Sequence, residues 1–302
     1  MKPTTDSSAL ARRLHDPSFL AALERLRLVA RRVARGGRPA EHRSRAIGGG
    51  IEFRDFRPYS PGDDFRAIDW NIYGRLGRVF LRLFEEVQDL PVYLLVDTSR
   101  SLFLETPPRA HAGFQVAVAL AAIALSQHDR VALYGFNDDL QTVLRPRAGR
   151  ERVLEFIAAL TTLPASGATD FERALARFGA LGLREGLAVV ISDFFDPRGL
   201  EAITRGLGAL RHRLLLVQLS RASDATPALA GDFELVDCET DAVAEVSVTQ
   251  AVIEKYRTAY EAFTAGLVRL ADRRHAGLLR IDTDTDVLPQ LEALFATGSY
   301  AV

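Results

Sequence analysis

The sequence predicts an α/β protein: a doubly wound, mainly parallel sheet carrying a small β-rich elaboration and an N-terminal helix. Three observations carry this. The runs VYLLVD (92–97), LAVVISDF (187–194) and RLLLVQLS (213–220) are almost unbroken apolar segments of strand length, the pattern of strands buried on both faces. Segments with apolar residues at helical spacing lie between them. Strands alternating with helices give right-handed crossovers and a sheet covered on both sides.

The elements follow in order. Residues 17–35 place Phe19, Leu20, Leu23, Leu26, Leu28 and Val29 near helical spacing, with arginines on the other face. From Gly48 to Val87 the chain is rich in Gly, Pro, Asp and aromatics, which suits short strands and tight turns better than helix. A helix over 111–127 follows the first buried strand. VALYGF (131–136) and TVLRP (142–146) flank Asn137, Asp138 and Asp139, a turn signal for a hairpin-like pair. Helices are expected over 150–161, 170–182 and 198–210. Residues 232–248 read as a second hairpin around Thr240 and Asp241, and a long helix over 249–274 leads to a last strand, LLRIDT, and a closing helix, VLPQLEALFA. This gives a basic amphipathic helical segment over 1–46, a β-rich subdomain over 47–90 and the main domain over 91–302 with its hairpin insertion.

The composition is that of an ordinary globular chain. Of 302 residues 48% are hydrophobic and 25% charged, which excludes disordered, collagen-like and coiled-coil classes. The net charge of -1 gives no global pull toward nucleic acid, although the first fifty residues are locally basic. The single cysteine, Cys238, forms no internal disulfide and points to a reducing compartment. Residues 1–20 have no apolar leader core, and no apolar stretch reaches spanning length. The expected location is cytoplasmic.

In open α/β sheets, ligands bind beyond the carboxyl ends of strands. Polar residues stand at such places three times: Asp97-Thr98-Ser99-Arg100-Ser101 after the first buried strand, Asp193 after VVIS, and Ser166 to Asp170 ahead of a helix. Their hydroxyl and carboxylate oxygens suit a hard cation, Mg²⁺ or Mn²⁺. Alone, D-x-S-x-S is also explained by serine capping a turn; the three segments together favour one metal centre.

DTSRS, GATD and ISD, in this order, resemble the metal-ion-dependent adhesion site (MIDAS) of von Willebrand factor A domains. Upstream, GIEFRDFRPYSPGDDFRAIDWNIYGRLGRVFLRLFEE looks like the signature of the domain-of-unknown-function fifty-eight family, whose members are von Willebrand factor A-like proteins associated with MoxR ATPases. The resemblance implies Ser99, Ser101 and Thr169 as direct hydroxyl ligands. It implies that Asp97 and Asp193 act largely through metal-bound water, and that a sixth position is free for a partner's Glu or Asp. Leu102 stands where many members have methionine. Asp170 reads as a helix-start residue favoured by the dipole rather than a ligand.

Other candidates have simpler explanations. Arg57, Asp63, Asp64, Arg66, Asp69 and Trp70 offer either a binding surface or an Arg/Asp network pinning turns. Asp282, Asp284 and Asp286 offer a second metal cluster or a solvated strand end. His15, His42, His111, His128, His212 and His275 show no metal spacing. Gly48-Gly49-Gly50 reads as a turn, and no Walker A, GxGxxG or HExxH motif is present. The expectation is a non-enzymatic, Mg²⁺-binding interaction module whose partner, by resemblance, is a MoxR-type AAA+ ATPase acting in assembly or maturation of a client protein. The rivals are a metal-dependent phosphoester hydrolase at the same strand ends and nucleic-acid binding through the basic N-terminal region.

Overall fold

A computed structural model describes residues 7–36, 50–60, 63, 68–87 and 90–296. His42, Gly48, Gly49, Asp64 and Arg66 lie outside the described residues. Two compact units are present: one takes the chain up to Arg38 and from Leu90 on, the other runs from Pro39 to Asp89. The N-terminal helices thus group with the main domain.

The larger unit is built on a six-stranded sheet. Its strands are β3 (Pro91–Asp97), β4 (Arg130–Phe136), β5 (Leu140–Arg147), β6 (Leu187–Ser192), β7 (Arg213–Ser220) and β10 (Gly277–Asp282), in the order β10-β7-β6-β3-β4-β5. Every pairing is parallel except β4 with β5, the predicted hairpin at one edge. This is the expected doubly wound, mainly parallel architecture. Alternation along β3 divides the core: Leu94 and Val96 face one helical layer, while Tyr93 and Leu95 face the other. Leu94 and Leu95 are fully buried, each such side chain contributing about 1.5–3 kcal/mol. Gly186 precedes β6 where the strands crowd: a Cβ there would lie 2.2 Å from the Pro91 carbonyl oxygen.

On the first face lies α4 (Arg109–Ser126), covered in turn by α2 (Pro17–Gly36), α5 (Val153–Thr161) and α10 (Val287–Ala296). A helix apolar all round has to be enclosed, and α4 is. Contrary to the sequence reading, its 18 residues are long and apolar enough to cross a membrane; 94% of that stretch is buried within the fold. A short α1 (Ser7–Leu14) precedes α2 and packs Leu10 and Leu14 into the same core. The other face carries α6 (Phe171–Ala180), α7 (Leu200–Gly208) and α9 (Gln250–Arg273). The predicted insertion is an antiparallel ribbon of β8 (Gly231–Val236) and β9 (Val243–Val248), preceded by a single turn, α8 (Ala222–Ala225).

In the smaller unit β1 (Gly50–Pro58) pairs antiparallel with β2 (Phe80–Val87). Turns were expected between them, but α3 (Trp70–Leu76) forms there. Its start signal is Asp69, whose Oδ1 accepts the Ile72 amide at 3.2 Å, an N-cap contact on a helix too short to show periodicity. Arg57 donates to Asp63 at 2.6 Å, and Asp63 also accepts the Ser60 amide at 2.9 Å. That pair pins a turn.

Candidate metal centre

The sheet order reverses between β3 and β6, since β3 has β4 on one side and β6 on the other. Doubly wound folds bind ligands at such a switch point, outside the carboxyl ends of the strands. Asp97 ends β3, and Asp193 follows the last residue of β6. Val96 pairs with Ile191, which sets Ser192 beside Asp97, and Ser192 Oγ donates to Asp97 Oδ2 at 2.6 Å. Asp97 Oδ1 accepts the Ser99 amide at 2.9 Å and closes a tight turn that runs into a 3-10 segment, Arg100–Phe103. In that turn Ser99 Oγ and Ser101 Oγ are 3.1 Å apart.

Thr169 comes from a different loop, joined to this turn by backbone bonds. Ser166 N donates to Thr98 O at 3.0 Å, and Arg100 N to Gly167 O at 3.3 Å. Gly167 has φ +72°, and a Cβ there would lie 2.6 Å from Asp138 Oδ1, so glycine is required. Asn137, in the β4–β5 turn, donates to Ser166 O at 2.8 Å and accepts the Asp139 amide at 2.8 Å. Asp170 accepts the Arg173 amide at 2.8 Å as N-cap of α6, in keeping with its reading as a helix-start residue.

Thr169 faces a residue that the sequence reading did not single out. Its amide donates to Glu239 Oε2 at 2.9 Å and its hydroxyl to Glu239 Oε1 at 3.2 Å. Glu239 lies in the β8–β9 turn, and its carbonyl accepts from Arg100 Nη2 at 3.1 Å. The contact spans seventy residues, so no local motif announces it.

Burial is nearly complete for Asp97, Ser99, Thr169 and Asp193. It pushes the Asp97 carboxyl up to about 6, against the bonds from Ser192 and Ser99 that favour its charge. Asp193 is pushed up to about 7, by burial first and by the Asp97 charge second, while Arg109 opposes the shift. Arg109 Nη1 stands 3.6 Å from Asp193 Oδ2, and the same buried guanidinium binds Asp224 at 2.7 Å and Glu105 at 2.9 Å. An arginine opening an otherwise apolar helix is the sequence signal for this network. The Asp97 charge penalises that of Asp193, and the Glu239 charge that of Asp97, penalties that a cation beside them would relieve.

Among the described residues, no three His, Cys, Asp or Glu side chains gather as a metal cluster. A cation held here would therefore depend on Ser99, Ser101 and Thr169 as much as on the two carboxylates. That all-oxygen set fits Mg²⁺ or Mn²⁺ in chemistry. Asp284 is engaged elsewhere: it lies 3.4 Å from Arg221 Nε, and its amide donates to Asp282 Oδ1 at 2.9 Å.

Known proteins resemble the chain at several levels. An uncharacterized protein of Mycobacterium bovis, Mb1516, is 30% identical over 289 residues, 94% of this chain and 91% of that protein. Uncharacterized protein Rv1480 of Mycobacterium tuberculosis matches with the same identity and coverage. Among solved structures, a von Willebrand factor type A protein from Catenulispora acidiphila aligns at TM-score 0.43 and 12% identity, over 71% of this chain and 43% of that one. The conserved hypothetical protein BatB from Bacteroides thetaiotaomicron aligns at 0.40 and 13%, over 70% and 98%. Residues 55–266 match the family described as "Protein of unknown function DUF58", and the chain belongs to that family.

Proposed function

We propose that this chain is a non-enzymatic interaction module that takes up Mg²⁺ or Mn²⁺ through Asp97, Ser99, Ser101, Thr169 and Asp193 and so grips an acidic side chain of a partner. The observation that carries the reading is the joining of two distant loops: the Ser166 and Arg100 amides bind across to Thr98 and Gly167, bringing the Thr169 loop to the Asp97–Ser101 turn beside Asp193. When bound, the ion supplies a positive charge with an affinity for carboxylate oxygen. Ser99, Ser101 and Thr169 contribute neutral oxygens, which leaves that charge little reduced. Asp97 is oriented by Ser192 and by the Ser99 amide, and Asp193 by Phe195 and Arg109.

The partner is a MoxR-type AAA+ ATPase, a reading supported by the sequence resemblance, and the pair acts in assembly or maturation of a client protein. Calorimetric titration with Mg²⁺ and Mn²⁺ tests the site, and pull-down of the cognate MoxR-type ATPase with and without Mg²⁺ tests the partner. Saturable ion uptake that Ser99→Ala weakens by about tenfold or more is expected. Absence of uptake by the wild type overturns the reading. Turnover of a phosphoester panel abolished by Asp97→Ala favours the hydrolase instead.

A further inference from the structure

We infer that Glu239 is the chain's own carboxylate ligand for this centre, held there by the β8–β9 hairpin in the position that an acidic partner side chain would take. The inference rests on the metal-dependent reading above. Both Glu239 oxygens already engage Thr169, one through its amide at 2.9 Å and one through its hydroxyl at 3.2 Å. The tip is shaped to present that side chain: Asp237 Oδ1 accepts the Glu239 amide at 2.7 Å and the Thr240 amide at 3.2 Å. Arg100, inside the Asp97–Ser101 turn, holds the Glu239 carbonyl at 3.1 Å. The hairpin tip therefore touches two of the three segments that supply the oxygen set.

The rest of the hairpin is lightly held. Among the described residues β8 and β9 pair only with each other, and Leu235, Val236 and Val243 are 43%, 57% and 59% exposed. A carboxylate delivered on such an arm is replaceable: a partner's acid competes with Glu239, and only a partner that outbinds it opens the centre.

The test uses the full chain as wild type, Glu239→Gln and Glu239→Ala, with Mn²⁺ binding followed by electron paramagnetic resonance, acetate as a small carboxylate probe, and hydrogen exchange of the hairpin amides. We expect Glu239→Gln to bind Mn²⁺ about tenfold more weakly, through loss of a charged ligand. Acetate should strengthen Mn²⁺ binding by Glu239→Ala but not by the wild type. Mn²⁺ should slow amide exchange at the hairpin tip only in the wild type. Equal Mn²⁺ affinity in all three chains with no acetate response overturns this inference alone. A wild type that takes up no Mn²⁺ overturns the proposed function and this inference together.

Discussion

Two hairpins reach the candidate centre, and they are held in opposite ways. The β4–β5 hairpin belongs to the main sheet: Val131, Leu133 and Phe136 of β4 are fully buried, and the half-buried turn residue Asn137 donates to the Ser166 carbonyl. The β8–β9 hairpin forms a ribbon of its own, with most side chains exposed, and its tip meets the same centre through Glu239 and Arg100. Both turns are acid-rich, the first spanning three residues (137–139) and the second six (237–242). What separates them is the burial behind the turn, so one tip is a fixed part of the site's frame and the other is a removable contact.

The widest contrast is in the strands. Leu133→Ala should cost about 2–5 kcal/mol in denaturant unfolding, as a large-to-small change in a closed core does, whereas Leu235→Ala should stay within about 0.5 kcal/mol. Equal losses would erase the distinction. At the tips, Asn137→Ala removes several partly buried hydrogen bonds and should cost about 1–3 kcal/mol. Glu239→Ala should cost no more than about 1 kcal/mol, because the contact is partly solvated. A Glu239 variant that unfolds as readily as the Asn137 variant would make the β8–β9 tip part of the frame.

The smallest effect concerns pH and belongs to the packed side. His212 lies against Tyr93 and Phe178 with ring centroids 5.0 and 5.2 Å away, and burial holds its imidazole below the ordinary 6.5. The fold therefore prefers the neutral ring. Its contribution is complete above pH 6.5 and declines as pH falls through the depressed value. A proton-detected titration should give a midpoint below 6.5, and His212→Phe should reduce the loss of melting temperature on acidification.

The sheet was legible because its central strands are written locally: a continuous apolar run such as LAVVIS has few folded destinations other than the middle of a sheet. Asp97, Ser99, Ser101 and Asp193 stood out as candidates because each follows such a run at a carboxyl end, and Thr169 because it lies just ahead of a helix; the backbone bonds between Ser166 and Thr98 and between Arg100 and Gly167 bring its loop to the Asp97–Ser101 turn. Glu239 was not, since its meeting with Thr169 depends on where a solvated ribbon folds back, and alternating residues along β8 and β9 leave that direction open. Arg109 was passed over because charge at a helix start looks like surface until Asp193, Asp224 and Glu105 are seen around it. The α3 helix failed for want of length.

Gly186 gives the centre a dependence on a position at the opposite end of its strands. The absent side chain lets the start of β6 lie against the Pro91 carbonyl, at the head of the ladder that pairs Val92 with Leu187 and Val96 with Ile191. A methyl group at position 186 would leave every oxygen donor in the sequence intact while sliding the floor on which they stand. A substitution at Gly186 is therefore expected to disturb the candidate centre while touching none of its atoms, and a mutational survey confined to the rim would miss it.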